Sequence, residues 1–477
     1  MTNGYTRRCF LAGLGASAAS LALSPYISAE SRPNILLITA DDMDYHSLGA
    51  TGCKVTNITP NLDALAKQGV LFTQAHVTSA VCQPCRSVLM TGRFPHGNGA
   101  MGFEPINPEV PTLQQALNKA GYLNGIMAKV GHLRPQECFM WDFVADAKEL
   151  GQGRDPDLYY KSSKQFFERA KAEGKPFFMM ANSQDPHRPF AGSAGEGATA
   201  EKRKIAGFPG ASRTYKPEEI AIPDFLPDLP DVRKEMAQYY TSVHRCDEIV
   251  GQVLRALRES SLEENTVVFF LSDNGISEPF AKTNCYRVST QTPLIVRWPG
   301  KIKPGRNDDD LVSGIDFMPT VLDIAGIKQV AGMDGRSYLP LLKGQKEAGH
   351  DKVFTFLFET SAKKEFPMRC VRTKRYSYLY NAWSDGKTQF QNEPMGGLAW
   401  KAMVASADPK IKERADFFLR RVPEEFYDLE SDPGERKNLI ADRKYKEQIA
   451  TMRAEMLDMM ESTRDSVIYR FRKQIGK

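Results

Sequence analysis

Histidine and cysteine are scarce in this sequence, with seven and eight copies among 477 residues. The cysteines stand at positions 9, 53, 82, 85, 138, 246, 285 and 370, too few and too scattered for the disulfide framework of a small secreted domain. There is one Cys-x-x-Cys pair and no second, which argues against a zinc site of two such pairs. A concentrated basic stripe is also missing. Lysine and arginine number 63 against 58 acids, a net charge of +5. The first 29 residues hold Arg7 and Arg8 and no acid, so the remainder carries 61 bases against 58 acids, or +3. That mild surplus admits an anionic substrate and argues against nucleic acid as a partner. The short run Arg372–Tyr376 reads as one face of a strand. No internal repeat or low-complexity tract occurs. No apolar run after residue 29 is long enough to span a bilayer, so no stable membrane association is expected after removal of the leader.

What is present is an ordinary globular balance, 42% hydrophobic and 25% charged, with length for two or three domains. The opening MTNGYTRRCFLAGLGASAASLALSPYISA pairs Arg7 with Arg8 before an Ala/Gly-rich apolar stretch. This is the layout of a twin-arginine export signal over residues 1–29, predicting a periplasmic or extracellular protein. Removal of Cys9 leaves seven cysteines, so at least one has a fate other than an internal disulfide.

From Pro33 onward strands and helices alternate. Asn34–Thr39 is a continuous apolar run, as in a parallel strand covered on both faces. TPNLDALAKQG carries helix punctuation: Thr59 at the N-cap, Pro60 at the first position and Gly69 at the stop. GYLNGIMAK, KPFFMMANSQ and NTVVFFLSD read as further strands, and a long helix is expected from about Val232 to Ser260. The pattern predicts an α/β catalytic domain over 30–350 with a large, mostly parallel sheet flanked by helices. Residues 351–477 read as a smaller α+β domain with an antiparallel sheet, ending in a helix from about Lys444 to Thr463.

Two predicted strands end in acids. Asp41 and Asp42 follow the first; Asp273 and Asn274 follow the later one. Strand carboxyl ends rim the ligand crevice of open α/β sheets. Three carboxylates and an amide are hard oxygen ligands suited to Ca²⁺ or Mg²⁺. Each pair alone is also a common turn former; together they favour a metal. His132 and His187 follow two other strands, where acid–base groups are useful. His46, His76, His96, His244 and His350 are expected at the surface.

The stretch VCQPCRSVLMTG, Val81 to Gly92, admits three readings: a redox pair, half a zinc site, or a single modified nucleophile. A redox pair belongs in a much shorter domain. Cys82, Pro84, Arg86, Thr91 and Gly92 together spell C-x-P-x-R-x-x-x-x-T-G, which resembles the type I sulfatase signature, whose cysteine becomes formylglycine. Cys85 lacks the proline in register, so the frame selects Cys82. NILLITADD, TPNLDALAKQGVLF, SDNG, TPLIVRWPG, DFMPTVLDIAG and EEFYDLESDPGERKNL are similar to successive segments of that family. DPHRPF, YYTSVHRCDEIVGQVLRAL, LSDNGISEPFAKTNCY and FPMRCV are similar to its heparan sulfamidase-like (N-sulfoglucosamine sulfohydrolase-like) branch. The sequence departs from the family at Lys129 and His132, which are separated by two residues where one is usual, and at Gln291 and Arg287.

The resemblance implies an alkaline-phosphatase-like sulfatase fold and an exported hydrolase of sulfate esters or sulfamates on a sulfated carbohydrate. It implies one Ca²⁺ held by Asp41, Asp42, Asp273 and Asn274 beside residue 82, and a formylglycine-generating maturation enzyme as a partner. The hydrated aldehyde would attack sulfur through one hydroxyl and expel the sugar oxygen or nitrogen. Deprotonation of the second hydroxyl would then release sulfate and restore the aldehyde, a step closed to an ordinary serine. Arg86 and Lys129 would hold the diol, Lys282 and His187 would grip the sulfate and protonate the leaving group, and His132 would serve as the base. Arg188, Glu359 and Arg369 are either sugar contacts or structural ion pairs. The rival readings are a phosphoester or phosphonate hydrolase of the same superfamily, and a non-catalytic glycan-binding relative.

Overall fold

The computed structural model describes residues 32–196 and 200–477, and the expected export signal over 1–29 lies outside the described residues. Arg32–Lys477 forms one compact unit. At its centre is an eight-stranded sheet. Its spatial order is Phe143–Ala145, Leu123–Met127, Phe177–Pro186, Asn34–Asp41, Thr266–Ser272, Leu294–Arg297, Val70–Phe72 and Arg306–Asp308. The first five run parallel. Leu294–Arg297 is antiparallel to both neighbours, and the last strand is parallel to Val70–Phe72. All eight residues of Asn34–Asp41 are buried, because helices cover both faces of a central parallel strand. One covering helix is Pro60–Gln68, with Pro60 at its start and Gly69 at its stop. Another is Pro230–Glu259, close to the expected limits.

Register positions the acids. Ala40 pairs with Ser272, so Asp41–Asp42 and Asp273–Asn274 leave adjacent strands at one level. On the other side Thr39 pairs with Asn182, and a register shift brings Asp41 opposite Pro186. The crevice therefore opens where three neighbouring strands end.

A second sheet of four antiparallel strands follows: Lys352–Glu359, Glu365–Thr373, Tyr376–Asn381 and Glu424–Asp428. Buried apolar side chains of the Lys446–Ser462 helix join its core. A further helix, Ile468–Gln474, was not expected. The basic run at 372–376 is not one strand face. Arg372 and Thr373 close one strand, Lys374 and Arg375 form the bend, and Tyr376 opens the next. Arg372 is buried against Glu435, while half-exposed Arg375 reaches Asp428. The surface expectation also fails for His76, His244 and His350, which are buried. Each places Nδ1 on a fixed partner: Thr290 Oγ1, the Ile58 carbonyl and the Leu311 carbonyl, respectively.

Candidate active site

Cys82 is the first residue of the Cys82–Thr91 helix, all ten of whose residues are buried. Its Sγ lies 3.3 Å from Asp41 Oδ1 and 3.9 Å from Asn274 Oδ1. The thiol thus sits on oxygen-bearing side chains, not in an apolar core. Asp42 turns back through a left-handed φ of 68°, uncommon for aspartate, and its backbone N–H donates to Asp273 Oδ1 at 3.1 Å. Asn274 Nδ2 donates to Asp42 Oδ1 at 2.6 Å. Left-handed Ala128, Lys129 and Thr283 flank the same region, a concentration of backbone cost often found at working sites.

Cations surround this floor. Arg86 is fully buried, with Nη2 at 2.7 Å from Asp273 Oδ2. Its Nη1 donates to Thr39 Oγ1 at 3.0 Å and Asn182 Oδ1 at 2.5 Å, the two residues that face each other in register. Lys129 pairs with Asp41. Lys282 Nζ bridges Asp42 Oδ2 at 2.8 Å and Glu393 Oε2 at 3.0 Å. His187 Nε2 stands 3.9 Å from Asp42 Oδ2 and 3.6 Å from Glu393 Oε1. Its Nδ1 meets the Arg188 carbonyl at 2.5 Å; a carbonyl only accepts, so Nδ1 donates there and Nε2 is the ring nitrogen turned to the site. The unusual Lys129–His132 spacing is absorbed by a 3₁₀ turn over Val130–His132, capped by left-handed Lys129, with the His132 N–H donating to the Lys129 carbonyl. Both side chains consequently reach the same cavity, about 350 Å³ in volume, alongside Cys82, His187, Lys282 and Glu393.

The electrostatics are those of a crowded charged site. Burial would raise the Asp41 carboxyl, but Lys129, His187, Arg86 and Lys282 outweigh it and hold the group well below its ordinary range. Burial, together with the neighbouring Asp41 and Asp42 charges, pushes Asp273 up to about 7 against the pull of Arg86. Burial would lower Lys282, yet Asp42 and other anions keep it well above the usual lysine value. Burial and the charges of Lys129 and Arg86 drive His132 down to about 2, leaving a neutral imidazole whose buried Nδ1 has no partner. The Cys82 and Cys85 thiols are free, and burial pushes both well above their ordinary value, the opposite of an activated redox pair.

The donor set fits a hard divalent cation. Asp41, Asp42, Cys82 and His187 each offer one ligand atom, all within 4.8 Å of one another. Asp273 and Asn274 border the same group, and mutual repulsion among its carboxylates is what such an ion relieves. Every residue singled out for chemistry is brought together here, with Arg86 beneath the cavity. Of the ambiguous residues, Arg369 is a structural partner of buried Asp465, and Arg188 lines the cavity but is paired with Glu235 and Glu278. Sequence reasoning missed Thr39 and Asn182, which orient Arg86, and Asp185, which joins Arg154 and Arg245. It also missed Glu393, which lies in the polar stretch QNEPMGG, where nothing separates it from a loop glutamate.

A strand-end cluster of acids around a helix-borne nucleophile position, on this mixed sheet, defines a hydrolase of the alkaline phosphatase superfamily. The sulfatase family model matches residues 33–327, and the model of the N-sulphoglucosamine sulphohydrolase C-terminal region matches 275–389. The chain belongs to the sulfatase family. It is 30% identical to an ulvan-active sulfatase of Formosa agariphila over 419 residues, covering 87% of this chain and 77% of that one. It is 29% identical to N-sulphoglucosamine sulphohydrolase of Homo sapiens, covering 91% of each. A solved structure of BT4656 in complex with its substrate D-glucosamine-2-N,6-O-disulfate matches 91% of this chain and 99% of its own at 19% identity and a TM-score of 0.67, a likeness of fold. The protein is a sulfatase-type hydrolase of sulfate esters or sulfamates. Among the described residues, no helix is long and apolar enough to cross a membrane.

Proposed function

We propose that this sulfatase releases sulfate from a sulfated carbohydrate after a separate maturation enzyme has converted Cys82 to formylglycine. The carrying observation is the convergence of Asp41, Asp42, Asp273 and Asn274 on the Cys82 side chain. These four residues would hold one Ca²⁺, which lowers the pKa of the attacking hydroxyl and draws charge from the sulfuryl oxygens. Formylglycine would supply a hydrated aldehyde, a nucleophile that can be regenerated without a second displacement.

The chain's own residues have the following tasks. Arg86, fixed by Thr39 and Asn182, and Lys129, fixed by Asp41, place positive charge at the nucleophile. Lys282 and His187, side by side against Asp42, grip the sulfate, and either passes a proton to the leaving oxygen or nitrogen. His132, which lines the same cavity, is assigned the proton whose loss expels sulfate from residue 82, the negative charge of the bound sulfate raising its proton affinity. Residues 1–29 are assigned to a twin-arginine export signal, 30–350 to the catalytic part and 351–477 to a smaller part that reaches the cavity through Glu393. The mature enzyme would then work in the periplasm or outside the cell. The named relatives favour either N-sulfated glucosamine of heparan type or sulfated algal polysaccharide as substrate.

The test is sulfate release by matured protein from N-sulfated and O-sulfated oligosaccharides, with an aryl phosphate as the counter-substrate and mass spectrometry of residue 82. The expected result is sulfate release with an aldehyde at residue 82. An active preparation bearing an unmodified Cys82 thiol, or phosphate turnover exceeding sulfate turnover, overturns the proposal.

A further inference from the structure

The cavity is rich in cations, yet each is already matched. Lys129 pairs with Asp41, and Lys282 with Asp42 and Glu393. These two serve the reacting group. For the rest of a sugar the cavity offers two guanidiniums. Arg154 is bound to buried Asp185 at 3.0 Å, and Arg188 to Glu235 at 2.5 Å and Glu278 at 2.9 Å. Neither has surplus charge to give a second anion. Among the described residues that line the cavity, Glu393 is the one carboxylate. Its oxygens stand beside both groups proposed to grip the scissile sulfate, at 3.0 Å from Lys282 Nζ and 3.6 Å from His187 Nε2.

This carboxylate is held in place. It opens a 3₁₀ turn over Glu393–Gly396, and the preceding Asn392 donates its side-chain N–H to the Lys282 carbonyl at 3.2 Å. Just beyond the turn, the Ala399 N–H donates to Glu235 Oε2 at 2.6 Å. A Cβ at Gly397 would fall 2.5 Å from Arg188 Nη2, so the segment packs directly on the Arg188–Glu235 pair. The Glu393 side chain keeps 28% exposure, which leaves its free face toward an incoming ligand.

We infer that Glu393 selects singly sulfated sugars, accepting hydrogen bonds from hydroxyl or amino groups beside the scissile sulfate and repelling a second sulfate on the same ring. The inference rests on the sulfated-carbohydrate reading of the cavity. A fixed carboxylate rewards hydrogen-bond donors and penalises an anion in the same position, so one residue supplies both attraction to the right ligand and rejection of the wrong one.

The test compares kcat/KM for N-sulfated glucosamine and its 2-N,6-O-disulfate, and for a singly and a doubly O-sulfated hexosamine. Wild type, Glu393→Gln and Glu393→Asp are measured with melting temperatures alongside. Wild type is expected to prefer the singly sulfated member of the pair it turns over by about tenfold, a discount on like-charge repulsion for partial exposure. Glu393→Gln, which keeps the shape and removes the charge, is expected to shrink that ratio to about twofold or less, while Glu393→Asp retains most of it. Equal wild-type turnover of both members overturns the inference while leaving the sulfatase reading intact, and so does an unchanged ratio in a folded Glu393→Gln protein. If Glu393→Gln fails to fold, the wild-type ratio decides alone. Absence of turnover on every sulfated sugar overturns the carbohydrate reading and this inference with it.

Discussion

The floor and the rim of the cavity are made by different means. The floor is set by sheet register: Asp41, Asp42, Asp273 and Asn274 leave neighbouring strands at one level, and Thr39 and Asn182 face each other under Arg86. All of these side chains are buried. The rim comes from loops. Glu393 sits in a 3₁₀ turn and Ser361 in the link between the first two strands of the second sheet. A charged floor residue cannot change without stranding a buried partner, whereas a rim residue such as Ser361 can. Under the proposed function, the reaction falls to the floor and the choice of sugar to the rim.

The largest effect is expected at the floor's nucleophile position. Cys82→Ala removes the thiol from which the formylglycine nucleophile would be made, and the loss in kcat should be on the order of 10⁴ or more. Sulfate release within tenfold of wild type would break the comparison at its base, because the charged floor would then be acting without a covalent centre.

Burial by itself should cost stability and not rate, and the Arg369–Asp465 pair separates the two. Both side chains are at most 2% exposed and bonded at 2.5 Å, outside the cavity. Asp465→Ala strands the guanidinium and should cost about 3–5 kcal/mol of stability with kcat unchanged. Burial pushes the Asp465 carboxyl up, but Arg369 outweighs it and holds the group below its ordinary value. A carboxyl depressed in the folded state stabilises above its unfolded pKa, and that contribution drains as pH falls through the folded value. The gap between wild type and variant should hold from pH 7 to ~4 and narrow below that. Denaturant melts across this range check it, and a gap that widens with acid would contradict the pairing.

Lys282 stands where floor meets rim, bonded to Asp42 below and Glu393 above. Lys282→Ala should lower kcat by about 10²–10³, the usual range for one stabiliser of developing charge. A change confined to KM would move Lys282 from the chemistry to ground-state binding.

The same division governs what could be read from the sequence. The strands were legible because a central parallel strand must be apolar throughout, and the acids stood out because each pair closes such a run. Cys82 and Arg86 were legible through the run C-x-P-x-R-x-x-x-x-T-G, whose resemblance to the sulfatase signature singled them out. The second sheet was visible as short strands, but the basic run at 372–376 was misread because a hairpin bend and a strand face can carry the same residues. His76, His244 and His350 were misplaced because only tertiary packing supplies the Thr290, Ile58 and Leu311 oxygens that satisfy them. Asn182 and Glu393 left no local trace. Their roles exist only once register or a loop from the second half of the chain brings them to Arg86 and Lys282.

The smallest effect is expected at Ser361, an exposed residue that lines the cavity from the second sheet's first hairpin link. Its hydroxyl stabilises no buried charge, so removing it strands nothing. Ser361→Ala should leave the melting temperature within measurement error and change kcat/KM by less than about threefold, a surface-scale effect of roughly 0.5 kcal/mol. What change there is should fall on KM, because a rim hydroxyl meets the sugar equally before and during sulfur transfer, and such uniform contacts leave kcat alone. A fall in kcat at constant KM would show that the rim takes part in the chemical step, and the boundary drawn between floor and rim would have to move outward to include it.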